Sequence, residues 1–143
     1  MTKENEIPMS LLEKGEWAGE GFKPVLKIGG YRLAVLKYFS GVSADNINRI
    51  ERHNMTDEIF ILTEGAAWMI LLENAGEKSG LHVFPMRRNA AYNVRAGVWH
   101  HVLLSEDAHI IIFEKADTSK ENSEYFIPDL EMVKKIQGEL KSL

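Results

Sequence analysis

The sequence predicts an all-β protein, an antiparallel sandwich or barrel followed by a C-terminal helix. Three observations predict it. Short β-rich runs recur from Phe22 to Lys115, separated by turn residues. No stretch of crossover-helix length lies between them, which argues against a parallel sheet. Only the tail changes period, from alternation to helical spacing.

The elements follow in order. Residues 1–21 are polar and glycine-marked, an N-terminal arm in which "MSLLEKGEW" reads as a short helical turn. "FKPVLKI" and "YRLAVLKYF" are split by Gly29-Gly30, a hairpin signal. "INRIERH", "DEIFILTEG", "AAWMILLEN", "GLHVFPMR", "AYNVRAG", "WHHVLLSED" and "AHIIIFEK" come next, which makes eight or nine strands. Glu64-Gly65, Asn74-Ala75-Gly76, Ser79-Gly80, Ala96-Gly97 and Glu106-Asp107 punctuate them. Ile59, Ile61, Leu62 and Ile70 are the expected core. In the tail, Leu130, Val133, Ile136 and Leu140 fall at helical spacing behind the start signal Pro128-Asp129. That stripe is expected to pack on the barrel, with a dimer contact as the alternative. The expected organisation is an arm over 1–21, a barrel over 22–116 and a C-terminal segment with the helix over 117–143.

Composition narrows the function classes. With 143 residues, 45% hydrophobic and 27% charged, the chain fits one soluble globular domain. The net charge is -4, and Arg87-Arg88 and Lys134-Lys135 are too short to make a basic patch, so no nucleic-acid partner is expected. The absence of cysteine excludes disulfides, zinc–thiolate sites and thiol nucleophiles, and fits a reducing compartment. The start "MTKENEIPMS" lacks a signal-peptide pattern, and no apolar run approaches the roughly 18 residues of a membrane span. A cytoplasmic protein without a membrane partner is the expectation.

The chemistry gathers around "RIERHNMTDEIFILTEG". Alternation puts Ile47, Arg49, Glu51 and His53 on one strand face and Asn48, Ile50 and Arg52 on the other. A face with Arg, Glu and His in succession is solvent or a polar lumen. His53 and Glu58 converge only if the chain turns between them, and "NMTD" has turn-type residues. Downstream, Gly97 permits a tight turn before His100 and His101, which face opposite sides of a strand. One of the two can join His53, and alternation does not decide which. Imidazoles with carboxylates suit Zn, Mn, Fe or Ni. Arg49 is either solvated or, if it faces the lumen, a clamp for a carboxylate or phosphate. Phe60, Trp68, Met69 and Trp99 read as core or pocket wall. His82 and His109 read as surface or internally satisfied histidines.

These residues resemble the cupins, small antiparallel β-barrels of the jelly-roll type. His53, four intervening residues, Glu58, six residues and Gly65 fit the first cupin motif. Glu51 stands where its first histidine belongs, and Asp45 where its first glycine belongs. Gly97 and His100 match the second motif, while Asn89, Arg95 and Leu104 replace its glycine, proline and asparagine. Locally, Glu51, Arg52 and His53, with Val98, Trp99, His100 and His101, are similar to the ureidoglycolate lyase group. At Glu58 the chain keeps the generic cupin carboxylate, where that group tends to carry an amide. The resemblance implies a jelly-roll barrel and a divalent metal held by His53, Glu58 and His100, with Glu51 as fourth ligand or general base and His101 turned away. It implies a metal-dependent lyase or isomerase acting on a small polar metabolite such as a ureide, hydroxy acid or sugar. A non-catalytic cupin binding a sugar or carboxylate is the alternative. It also implies a homodimer, in keeping with "YRLAVLKYF" read as an edge strand that needs covering.

Overall fold

The computed structural model describes residues 1–143. Ten strands form two antiparallel sheets, and one helix closes the chain. The strands are β1 (Gly21–Ile28), β2 (Tyr31–Lys37), β3 (Ile50–His53), β4 (Glu58–Glu64), β5 (Ala67–Leu72), β6 (Leu81–Pro85), β7 (Ala91–Val94), β8 (Trp99–Leu104), β9 (His109–Lys115) and β10 (Ser123–Phe126). The helix is α1 (Leu130–Ser142). The first sheet runs β1-β2-β9-β4-β7 and the second β10-β3-β8-β5-β6. No helix is long and apolar enough to cross a membrane.

Alternation explains the layering. Ala34, Leu36, Phe60, Leu62, Ile110 and Ile112 of the first sheet meet Ala67, Met69, Val102 and Leu104 of the second in one apolar cluster. The sheets therefore pack face to face. Phe60 and Leu62, not Ile59 and Ile61, point inward; the latter pair is half-buried on the outer face. Glu58 is in phase with Phe60 and Leu62 and also faces in.

A second cluster covers the back of the second sheet. Ile50, Ile70, Leu72, Trp99 and Leu103 pack there against Met132 and Ile136 of α1. Full burial of each such side chain stabilises by about 1.5–3 kcal/mol. Asp129 caps the helix, its Oδ1 accepting from the Met132 N–H at 2.7 Å. Of the expected stripe, Val133, Ile136 and Leu140 pack against this cluster. Leu130 is exposed, and Met132 takes the buried position in its place.

Two further expectations are corrected. Regular strand begins only at Ile50, so Ile47 leaves the predicted face and joins the helix-side cluster. β2 is not an edge strand, since it lies between β1 and β9. The sheet edges are β1, β7, β10 and β6, and β10, read from sequence as part of the tail, pairs with β3.

Candidate metal centre between the sheets

A cavity of about 510 Å³ opens at one end of the space between the sheets. Its floor is a cluster built from both of them. His53 comes from the end of β3, His100 from β8 and Glu58 from the start of β4. Glu51 and His100 are partners in the register of β3 and β8. Glu58 reaches the histidines because the chain turns sharply after His53. Asp57 fixes that turn: its Oδ1 accepts from the Ala96 N–H at 2.9 Å and its Oδ2 from the Asn93 amide at 3.0 Å. Those two donors hold the Asp57 carboxyl below its ordinary range. Gly97, with φ +80, donates its N–H to the His53 carbonyl at 2.7 Å. That bond ties the two sequence motifs together, at a backbone angle that favours glycine.

One oxygen of Glu58 serves both imidazoles. Glu58 Oε2 lies 3.2 Å from His53 Nε2 and 2.9 Å from His100 Nε2. Burial pushes the Glu58 carboxyl up, but the two imidazoles outweigh it and hold the group at about 2. Burial likewise pulls both histidines down, and the hydrogen bond and charge of Glu58 outweigh it, so both stand above the ordinary 6.5. The rings sit edge to face, with centroids 5.4 Å apart. Phe60 packs edge-on against His100 on the apolar side. Glu51 Oε1 is 4.0 Å from His53 Nε2, and its other oxygen lies 3.5 Å from Arg49. Arg49 stays half-exposed at the mouth, its guanidinium over the Tyr125 ring.

The donor set fits a divalent cation. His100 Nδ1 faces the Val98 carbonyl at 2.9 Å and its Nε2 faces Glu58 at 2.9 Å. Both partners are acceptors, so a neutral ring satisfies only one of them. With Nδ1–H given to Val98, the Nε2 lone pair is left for a cation, the tautomer usual for a ligating histidine. The ligand atoms of Glu51, His53 and His100 lie within 4.8 Å of one another. Ligands bound at about 2.1 Å stand at most about 4.2 Å apart, so small side-chain shifts close the set.

The remaining candidates are distributed otherwise. His101 alternates away from His100 and pairs with Ile70, while still bordering the cavity beside Gly41; burial lowers it to about 4 and keeps it neutral. His82 is exposed beside Glu73, and His109 lies 3.6 Å from Glu64. Trp99 is buried under α1, with Arg52 over its ring.

Sequence reasoning missed three residues here. Ser123 faces His53 across β10 and β3, Oγ to Nδ1 at 2.7 Å. Glu114 and Arg32 are partners in the register of β9 and β2, both directed inward. Arg32 Nε and Nη2 donate to Glu114 Oε1 at 3.0 and 2.7 Å. Glu114 Oε2 is buried without a partner, a situation that costs about 1–3 kcal/mol for an ordinary polar group. Burial and the Glu58 charge push the Glu114 carboxyl up against the Arg32 pair. A signal was present, since Glu114 is in phase with the buried Ile110 and Ile112.

The sequence model of the ureidoglycolate lyase family matches residues 8–134. The chain belongs to the ureidoglycolate lyase family. No curated protein sequence matches it significantly. Among solved structures, this family member is similar to a cupin-2 domain protein from Shewanella frigidimarina. The identity is 19%, with 75% of this chain and 87% of that one covered and a TM-score of 0.50. It is also similar to Pac13, a nucleoside dehydratase, at 7% identity over 82% of this chain and 88% of that one, with a TM-score of 0.57. The Fe(II) form of HppE matches at 14% identity over 65% and 48% of the two chains, with a TM-score of 0.51. At these identities the likenesses establish the cupin fold of this ureidoglycolate lyase family member.

Proposed function

We propose that this protein is a metal-dependent lyase or isomerase acting on a small polar metabolite in the cavity between its sheets. One observation carries the reading: both ring nitrogens of His100 face acceptors, a demand met when a divalent cation replaces the shared proton. His53, Glu58 and His100 hold the ion, with Glu51 at its side; Zn, Mn, Fe and Ni all suit this donor set. Bound there, the cation supplies Lewis acidity toward a substrate carbonyl or hydroxyl. Arg49, at the mouth, holds a carboxylate or phosphate of the substrate. Glu51, partly exposed between Arg49 and His53, takes up and returns a proton. Phe60 and Ile112 give the deep wall an apolar surface that excludes water.

Family membership supports a ureide as substrate and carbon–nitrogen bond cleavage as the reaction. The test is urea release from ureidoglycolate by protein whose metal content is known from elemental analysis. Stoichiometric metal and urea release that stops on chelation are expected. A second reading, a non-catalytic cupin that binds a sugar or carboxylate, is favoured by the raised pKa of His100, whose protonated ring satisfies both Val98 and Glu58 without an ion. Metal-free protein that binds glycolate but turns over nothing would establish that reading instead.

The same reading includes a jelly-roll barrel over 22–116, flanked by the arm and by the C-terminal segment, a cytoplasmic location and a homodimer. A sedimentation mass near 16.2 kDa at all concentrations would exclude the dimer.

A further inference from the structure

We propose that Glu114 is a ligand of the ion, its Oε2 joining His53, Glu58 and His100. This rests on the metal-dependent reading above. The ligand atoms of His53, Glu58 and Glu114 lie within 4.8 Å of one another. Glu114 is 2% exposed, and its Oε2 is buried with no hydrogen-bond partner.

Arg32 explains how that oxygen is kept free. An arginine fork ordinarily grips both oxygens of a carboxylate. Here Nε and Nη2 both donate to Oε1, while the fork is also held by the carbonyls of Ala116 and Thr118 at 3.4 and 3.2 Å. The guanidinium is thus anchored on three sides and takes a single carboxylate oxygen. The other remains as a ligand atom on a side chain locked in place by its neighbours.

Charge points the same way. Glu58 and Glu114 are both buried at this floor, and Arg32, the permanently charged cation here, pairs with Glu114 alone. One negative charge remains, and a divalent ion more than offsets it, so both imidazoles can stay neutral. Glu51, by contrast, is partly exposed and held beside Arg49. With Glu114 completing the ligand set from the first sheet, Glu51 is left on the substrate side for proton transfer.

The test is zinc titration calorimetry on the full chain and on Glu114→Gln. The glutamine keeps an oxygen for Arg32 but presents an amide nitrogen in place of Oε2. Loss of more than about 100-fold in zinc affinity, beyond the roughly 10–100-fold of an outer-shell effect, is expected, with near-UV circular dichroism unchanged. A loss of about 100-fold or less, no more than an outer-shell partner gives, overturns the assignment and leaves the metal reading standing. No zinc binding by the parent overturns both. Should E114Q fail to fold, zinc-soaked crystals of the unaltered protein decide. An anomalous peak about 2.0–2.2 Å from Glu114 Oε2 supports the assignment, and a peak on His53, Glu58 and His100 with that oxygen beyond about 3 Å overturns it.

Discussion

Ser123 stands opposite His53 in the register of β10 and β3, and its hydroxyl lies 2.7 Å from the Nδ1 of that ring. A partner on the far nitrogen fixes ring orientation and the tautomer offered to the cavity. Ser123→Ala is therefore expected to weaken zinc binding by roughly 10–100-fold while leaving the melting temperature of the metal-free protein nearly unchanged. Calorimetric titration checks it. An unchanged affinity would make Ser123 a bystander of strand pairing.

His100 and His101 are adjacent yet separate in role. His100→Ala is expected to abolish stoichiometric metal by elemental analysis, because it removes a ligand from the floor of the cavity. His101→Ala empties a buried position beside Ile70, so it should lower stability and leave the metal in place. The opposite pattern would mean that the register of β8 is displaced by one residue.

The pH dependence follows from the signs of the shifts. In the metal-free fold His53 and His100 stand above 6.5, so their stabilisation is complete below 6.5 and fades as pH rises through their folded values. Glu58, at about 2, contributes above 4.5 and loses its contribution as pH falls toward 2. His101, at about 4, contributes above 6.5 and loses its contribution as pH falls through 4. Bound metal needs the two ligand imidazoles deprotonated, so the ion competes best at high pH. The rise in melting temperature on adding zinc is expected to grow from about pH 6 to about pH 8. Thermal melts across that range check it, and a rise that shrinks with pH would contradict the ligand assignment.

Gly65 closes the turn between β4 and β5 at φ +69, where a Cβ would stand 2.5 Å from the Ala108 Cα. Gly65→Ala is expected to destabilise the protein by more than about 1 kcal/mol, since both backbone strain and a backbone clash oppose it. Gly76→Ala, also at positive φ but with open space around it, should cost less. Denaturant melts of the two variants make the comparison.

Legibility from sequence followed periodicity. Strands with an apolar face, such as β4 and β9, were readable because alternation against a core leaves a pattern of two. β10 was not, because "SEYF" is a short edge strand with neither end-residue buried fully. The start of β3 was misplaced because the loop before it buries Ile47 under α1, which no local pattern records. At the site, His53, Glu58 and His100 came from the resemblance to the two cupin motifs, since alternation alone left His100 and His101 open. Glu114 escaped because it has no sequence neighbour in the cluster; only pairing of β9 with β2 and β4 brings it there. In α1 the spacing was legible at Val133, Ile136 and Leu140, and only Leu130 departs from it, exposed while Met132 is buried.

β8 is buried along its whole length, with the cluster on one side and the seat of α1 on the other. The segment after β9 thus serves the cavity twice, lending Ser123 from within and backing the strand that carries His100 from behind. In chain order that segment follows every other residue of the cluster. During vectorial synthesis the segment that backs the cavity floor is accordingly the last of these parts to emerge. Until then the back of β8 is an unprotected apolar surface, open to premature association with other chains.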